Sequence, residues 1–155
     1  MKCPRCSTIL RRIEHEGVPI CACRGCGGEF VDYTRLRTIE KRKEIHFDKA
    51  EAALLRSGKA DPMREARLVC PRCGNSMAKG RYRNTDVIID CCKACSGIWL
   101  DDRELEKIQI LAEEGDLFKS GQPRGRDTLA AALAKTLPAV KERQGESTLG
   151  RGYSA

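Results

Sequence analysis

Four C-x2-C motifs in two matching quartets, a charged fraction of 33% and only 5% aromatic residues predict a small, metal-stabilised α+β fold written twice in one chain. A length of 155 residues suits one domain or two very small ones. Units of ~40 residues bury too little apolar surface to fold unaided and usually need a metal or disulfides. Ten cysteines offer that reinforcement. No apolar run is long enough to span a bilayer. The opening "MKCPRC" has no apolar leader region, so a reducing, cytoplasmic location is expected. Clustered cysteines there are read as metal ligands or redox groups rather than disulfides.

The duplication is direct. Cys3-Pro-Arg-Cys6 recurs as Cys70-Pro-Arg-Cys73, and "CRGCGGEFVDYTRL" (Cys23–Leu36) as "CKACSGIWLDDREL" (Cys92–Leu105). The offset is 67 residues at the first pair and 69 at the second, so copy two carries two extra residues between its pairs. An insertion is best placed at a hairpin tip. Two residues between cysteines let both thiolates reach one ion from a tight turn, a knuckle. The spacers, Ser7–Ala22 and Gly74–Cys91, are long enough for a hairpin that returns the second knuckle to the first. Four sulfurs then surround a tetrahedral ion at ~2.3 Å, which suits zinc and leaves no open coordination position. The expected ligands are Cys3, Cys6, Cys23 and Cys26 for one ion, and Cys70, Cys73, Cys92 and Cys95 for the other. Pro4 and Pro71 preset φ in the first knuckles. Gly27 and Gly74 follow second cysteines where the chain bends sharply, and Ser7 and Ser96 take that place elsewhere.

The predicted architecture is therefore two zinc ribbons, each a β-hairpin with zinc knuckles plus a following helix. A helical connector joins them and a disordered basic tail follows. The boundaries are 1–40 for copy one, 41–66 for the connector, 67–118 for copy two with its C-terminal helix, and 119–155 for the tail. "GVPIC" and "TDVIID" supply β-branched strands, with Val87, Ile88 and Ile89 expected over the zinc. Phe30 and Trp99, four residues past the last ligand of each copy, are expected to be lids over the ribbon rather than base-stacking surfaces. Asp101 is expected to cap a helix over about 102–114. Leu105, Ile108 and Ala112 share one face of it, and Gly115 ends it. Copy one starts a helix at Asp32, with Leu36 and Ile39 in the matching places. Asp48 and Glu51 open a second helical stretch, so 33–58 is one long helix or two short ones. "GKADPM" (Gly58–Met63) is the break before copy two. "KSGQPRGRD" is a flexible linker, "TLAAALAKTL" a short helix before Pro138, and the end of the chain a disordered extension.

The eight ligands leave Cys21 and Cys91. Cys21 lies two residues before its ligand and shares its face, whereas Cys91 is adjacent and turns away. "CCKAC" also permits Cys91 as a ligand, but Cys92 keeps the x2 spacing. A spare thiol near zinc-bound thiolates could form a disulfide and release the ion. His15 and His46 are expected to be ordinary surface or spacer residues.

"CPRCG…DVIIDCCKACSGIWLDDRELEKI" resembles the transcription factor IIB-type zinc-ribbon family: a CPxCG, an apolar strand into CxxC-G-G, then an aromatic, "LD" and "EL". Copy two (about 70–111) matches closely. Copy one (about 3–40) departs at Ser7, at Glu29-Phe30-Val31 and at Thr34-Arg35. The resemblance implies zinc binding and a small ribbon fold, and leaves the biochemical activity open.

The formal net charge is +7: +5 over residues 1–60, −2 over 61–118 and +4 over 119–155. Each divalent ion held by four thiolates carries −2, so two sites lower the total to about +3, and the basic pull toward nucleic acid weakens accordingly. No histidine–acid constellation, glycine-rich phosphate loop or open metal site points to an enzyme. The expectation is a zinc protein with two ions, acting as a protein- or nucleic-acid-interaction module with a transcription link left open. A thiol redox switch and a rubredoxin-like iron site are the alternatives. No membrane is expected as a partner, and the oligomeric state is not set by the sequence.

Overall fold

The computed structural model describes residues 1–42, 46–56, 66–83 and 85–115. The tail over 119–155, the Gly58–Met63 break and part of the expected connector lie outside them. In chain order the elements are β1 (Arg11–His15), β2 (Val18–Ala22), β3 (Glu29–Asp32), α1 (Tyr33–Arg42), α2 (Lys49–Arg56), β4 (Ala78–Arg81), β5 (Ile88–Cys91), β6 (Gly97–Leu100) and α3 (Glu104–Glu113).

The six strands form one antiparallel sheet, ordered β1-β2-β3-β6-β5-β4. The order reads the same from either edge inward, because each copy contributes one half. The seam is the β3–β6 pair, in which Phe30 sits opposite Trp99. The sequence predicted the ribbons but not this pairing, which merges them into one sheet. Within each half the register is identical: Arg11 faces Ala22 as Ala78 faces Cys91. The hairpin tips differ. Copy one turns through Glu16 and Gly17, whereas copy two turns between Tyr82 and Val87, whose backbones bond at 2.8 Å. The two extra residues of copy two are in this tip.

Alternation along the strands divides the core in two. On one face Val18, Ile20, Val31, Val87, Ile89, Cys91, Ile98 and Leu100 pack against Leu36 and Ile39 of α1 and Leu105, Ile108 and Ala112 of α3. The cysteine quartets lie on the other face with Leu10, Phe30, Leu68, Met77 and Trp99. Val87 and Ile89 were expected over the zinc. They belong instead to the helix face, since they alternate with Asp90, which faces the knuckles.

The helix starts follow local chemistry. Asp32 caps α1, accepting from the Arg35 N–H at 3.0 Å. Asp48 and Glu51 form a reciprocal capping box at α2: Asp48 Oδ1 accepts from Glu51 N at 2.8 Å, and Glu51 Oε2 from Asp48 N at 3.2 Å. Residues 46–48 are not helical, so α1 and α2 are separate elements; α2 packs on α3. The third start differs from expectation. α3 begins at Glu104 behind Arg103, which has φ +63° and gives no side-chain cap. Glu104 Oε2 still reaches back to the Asp101 N–H at 2.9 Å, but the Asp101 carboxylate is engaged elsewhere.

Candidate metal centre

Each knuckle is built by the same backbone bonds. The first cysteine's carbonyl accepts from the N–H four residues on: Ser7, Gly27, Gly74 or Ser96, at 2.9–3.0 Å. Its own N–H donates to the carbonyl five residues on: Thr8, Gly28, Asn75 or Gly97, at 2.7–2.8 Å. The chain must turn left-handed to close this loop. Ser7, Gly27, Gly74 and Ser96 have φ of 63°, 72°, 74° and 56°. Two of the four positions thus carry a side chain in a conformation that favours glycine.

The loops bring the sulfurs together. Cys3, Cys6, Cys23 and Cys26 place their Sγ atoms within 4.8 Å of one another, as do Cys70, Cys73, Cys92 and Cys95. Cys3 and Cys26 are 3.5 Å apart, Cys6 and Cys23 3.3 Å, Cys70 and Cys95 3.5 Å, and Cys73 and Cys92 3.4 Å. All ten cysteines are free. A tetrahedral zinc with ~2.3 Å bonds needs sulfurs about 3.8 Å apart, so a small expansion admits the ion.

The electrostatics also fit a cation. Backbone N–H groups of Arg5 and Cys6 point at Cys3 Sγ, at 3.3 and 3.4 Å. Thr8 Oγ1 lies 3.2 Å from Cys6 Sγ, and Asn75 Nδ2 donates to Cys73 Sγ at 3.3 Å. These side-chain bonds hold the exposed Cys6 and Cys73 thiols down at about 6. Burial pushes Cys3, Cys26 and Cys95 up, and Cys70 up to about 12. Burial opposes the thiolate, and a divalent ion among four sulfurs reverses that opposition. Four thiolates around one ion form a closed site of the structural kind. Two such quartets suit two zinc ions.

The surroundings of each site come from the other copy. Arg5, between Cys3 and Cys6, donates two bonds to Asp101, at 2.9 and 2.8 Å, and lies 3.5 Å from Asp90. Trp99 Nε1 donates to the same Asp101 at 2.9 Å. In the reciprocal place Arg72 stacks on Phe30, 5.1 Å from the ring centre, and lies 3.8 Å from Asp32. The aromatic lids cross over in the same way. A Cβ at Gly28 would lie 2.3 Å from the Trp99 ring, and one at Gly97 2.4 Å from the Phe30 ring. Only glycine admits the opposing ring at either knuckle. Far from the metal sites the helices cross too. Glu40 of α1 bonds Tyr82 and pairs with Arg83 at the copy-two tip. Gln109 of α3, its equivalent, bonds His15 at 3.1 Å and Glu16 at 3.0 Å at the copy-one tip.

The structure brings all eight expected cysteines into the two quartets. Cys92, not Cys91, joins the second. Cys91 is fully buried in the helix-face core and Cys21 is half-buried on the metal face, as alternation requires. His15 bonds Gln109, and His46 lies 3.7 Å from Glu113; neither joins a quartet. Asp101, expected as a helix cap, instead anchors Arg5 and Trp99, because a buried guanidinium and indole compete for its oxygens. Sequence reasoning missed Arg5, Arg72, Glu40 and Gln109. Their signal was present: the arginine recurs inside both CPRC motifs, and Asp32 and Asp101 recur at one step after the last cysteine.

Among the described residues no helix is long and apolar enough to cross a membrane. No match was found among curated proteins, and none among solved structures. A family model described as a transcription factor zinc-finger, of the transcription factor IIB-type zinc-ribbon kind, matches residues 2–42 and 69–109, just over half of the chain. With that match on both copies and a four-cysteine cluster in each, the chain belongs to the transcription factor IIB-type zinc-ribbon family.

Proposed function

We propose that this is a non-catalytic protein-interaction module, in which Cys3, Cys6, Cys23 and Cys26 hold one structural zinc and Cys70, Cys73, Cys92 and Cys95 the other. The observation that carries this reading is the crossed bracing of the two sites. Each zinc loop is buttressed by an arginine–aspartate contact and an aromatic ring from across the seam, an arrangement that fixes a shape around ions whose four thiolate ligands leave no open coordination position. Phe30, Trp99 and Tyr82 are buried, so these rings are closed to the base stacking that single-strand binding uses. Thiol redox switching is not favoured, because Cys91 is fully buried and Cys21 half-buried.

A transcription-linked nucleic-acid role is the second reading, favoured by the net +4 charge of residues 119–155. Metal analysis joined to a pull-down and a salt-titrated DNA and RNA binding assay tests both. Two colourless zinc ions per chain and a salt-resistant protein complex support the first. Nucleic-acid binding that falls steeply with salt supports the second. Thiol–disulfide turnover that survives zinc loading would overturn both.

A further inference from the structure

We infer that β1 is a self-complementary sheet edge through which two copies of this chain pair antiparallel about Ile13, giving one sheet of twice the width. Among the described residues β1 has a single neighbour, β2. Arg11, Arg12, Ile13 and Glu14 are all exposed.

The hairpin fixes which backbone groups face outward. His15 and Val18 close a two-residue turn whose residues Glu16 and Gly17 have φ of 48° and 69°. In such a turn the closing pair exchanges both hydrogen bonds, and alternate pairs do so beyond it. Ile13 with Ile20 and Arg11 with Ala22 are therefore bonded pairs. Pro19, opposite Glu14, has no N–H and falls on a non-bonded pair, which fixes the same phase independently. The N–H and C=O groups of Arg12 and Glu14 consequently point away from β2.

Self-pairing about Ile13 uses these groups in the correct phase. Arg12 then stands opposite Glu14 of the second copy, and Glu14 opposite its Arg12. Both pairs exchange backbone bonds and both carry opposite charges. Ile13, 37% exposed, meets its own counterpart on the helix face.

The other edge supplies an internal control. Gly80 of β4 corresponds to Ile13, as the shared pairing register shows. Pairing of β4 with itself about Gly80 would oppose Lys79 to Arg81, like charges with no apolar contact between them. Upstream, Ile9 is 66% exposed where copy two has Ser76. One edge is thus protected and the other matched to itself. A self-matched edge makes an isologous contact that closes as a dimer rather than extending as a fibre.

Sedimentation velocity of the zinc-loaded full chain across a concentration series tests this. The wild type is expected to dimerise reversibly. Arg12→Glu and Glu14→Arg each turn two attractive cross-strand pairs into repulsive ones, weakening the dimer about ten-fold. The double variant restores it, and mixing the two single variants restores it as a heterodimer. Both side chains are exposed, so zinc content and Trp99 emission stay unchanged and report intact folding. A monomer at every concentration overturns the inference. So do single variants that dimerise like the wild type, or a double variant and mixture that fail to recover.

Discussion

Replacing Asp101 by alanine is expected to weaken the zinc site of copy one, although Asp101 lies six residues past the last ligand of copy two. Its carboxylate takes two bonds from Arg5, and its Oδ1 one more from Trp99 Nε1. The Arg5 side chain is 6% exposed. Stripping one partner from a buried ion pair costs ~3–5 kcal/mol. The cost here is smaller on the charge side, because Asp101 is 16% exposed and Asp90 remains 3.5 Å from Arg5. The buried indole N–H, left without an acceptor, adds ~1–3 kcal/mol. A total of about 3 kcal/mol follows, roughly a hundred-fold in an equilibrium constant. In small zinc domains metal binding is coupled to folding, so the loss appears as lower zinc affinity. Arg5 sits inside the Cys3–Cys6 loop, so the first site is the one to weaken. Competition against a chromophoric chelator resolves the two ions. Asp101→Ala should release one of them at roughly hundred-fold lower chelator strength, while Asp86→Ala, at a side chain 98% exposed in the copy-two tip, leaves release unchanged. Trp99 emission should shift with that first release, because the ring lies on Gly28. Equal release of both ions from Asp101→Ala, or no change in either, would refute the crossed bracing.

Other substitutions probe the same framework. Ser7→Gly and Ser96→Gly remove side chains from left-handed turns and should each stabilise the zinc-loaded protein by about 0.5 kcal/mol in chemical denaturation, after glycine's added chain entropy. Gly27→Ala should cost more than Gly74→Ala: both carry the positive-φ backbone cost, but at Gly27 the new Cβ would also lie 2.4 Å from Asp102 Oδ1 and force that carboxylate to turn away, whereas at Gly74 it meets no neighbouring atom. Burial, then the Glu106 and Asp102 carboxylates, pushes Glu29 up to about 7. The folded state therefore holds this proton more tightly than the unfolded chain. Its contribution is fully present below about pH 4.3 and lost as pH rises through 7. Glu29→Gln should raise stability by on the order of 1–3 kcal/mol above pH 7, an advantage that shrinks as pH falls from about 8 toward 6, read from denaturation midpoints of the zinc-loaded protein across that range. Cys91→Ala should keep two zinc ions by mass spectrometry and lose only about 1 kcal/mol of packing, whereas Cys92→Ala should lose an ion.

The ligands were legible because chemistry constrains them locally. Two thiolates on one tight turn need the x2 spacing, and a quartet needs a hairpin between its turns. The helix starts at Asp32 and Asp48 were equally local. The β3–β6 seam was not legible, since "EFVD" and "GIWL" name no partner and strand pairing is decided across the chain. Asp101 was misassigned for the same reason. Its sequence context matches a capping box, and only the approach of Arg5 from the other copy decides where its oxygens go. The lid role of Trp99 and Phe30 was correct in kind, but the knuckle each ring covers depends on the seam.

X-ray absorption at the zinc edge, on protein purified without added metal and combined with zinc stoichiometry, tests the central claim most directly. Two zinc ions per chain, each with four sulfur neighbours at about 2.3 Å and no lighter ligand, is the expected result. A chain that folds cooperatively without metal, or a spectrum requiring nitrogen or oxygen in the first shell, would contradict it.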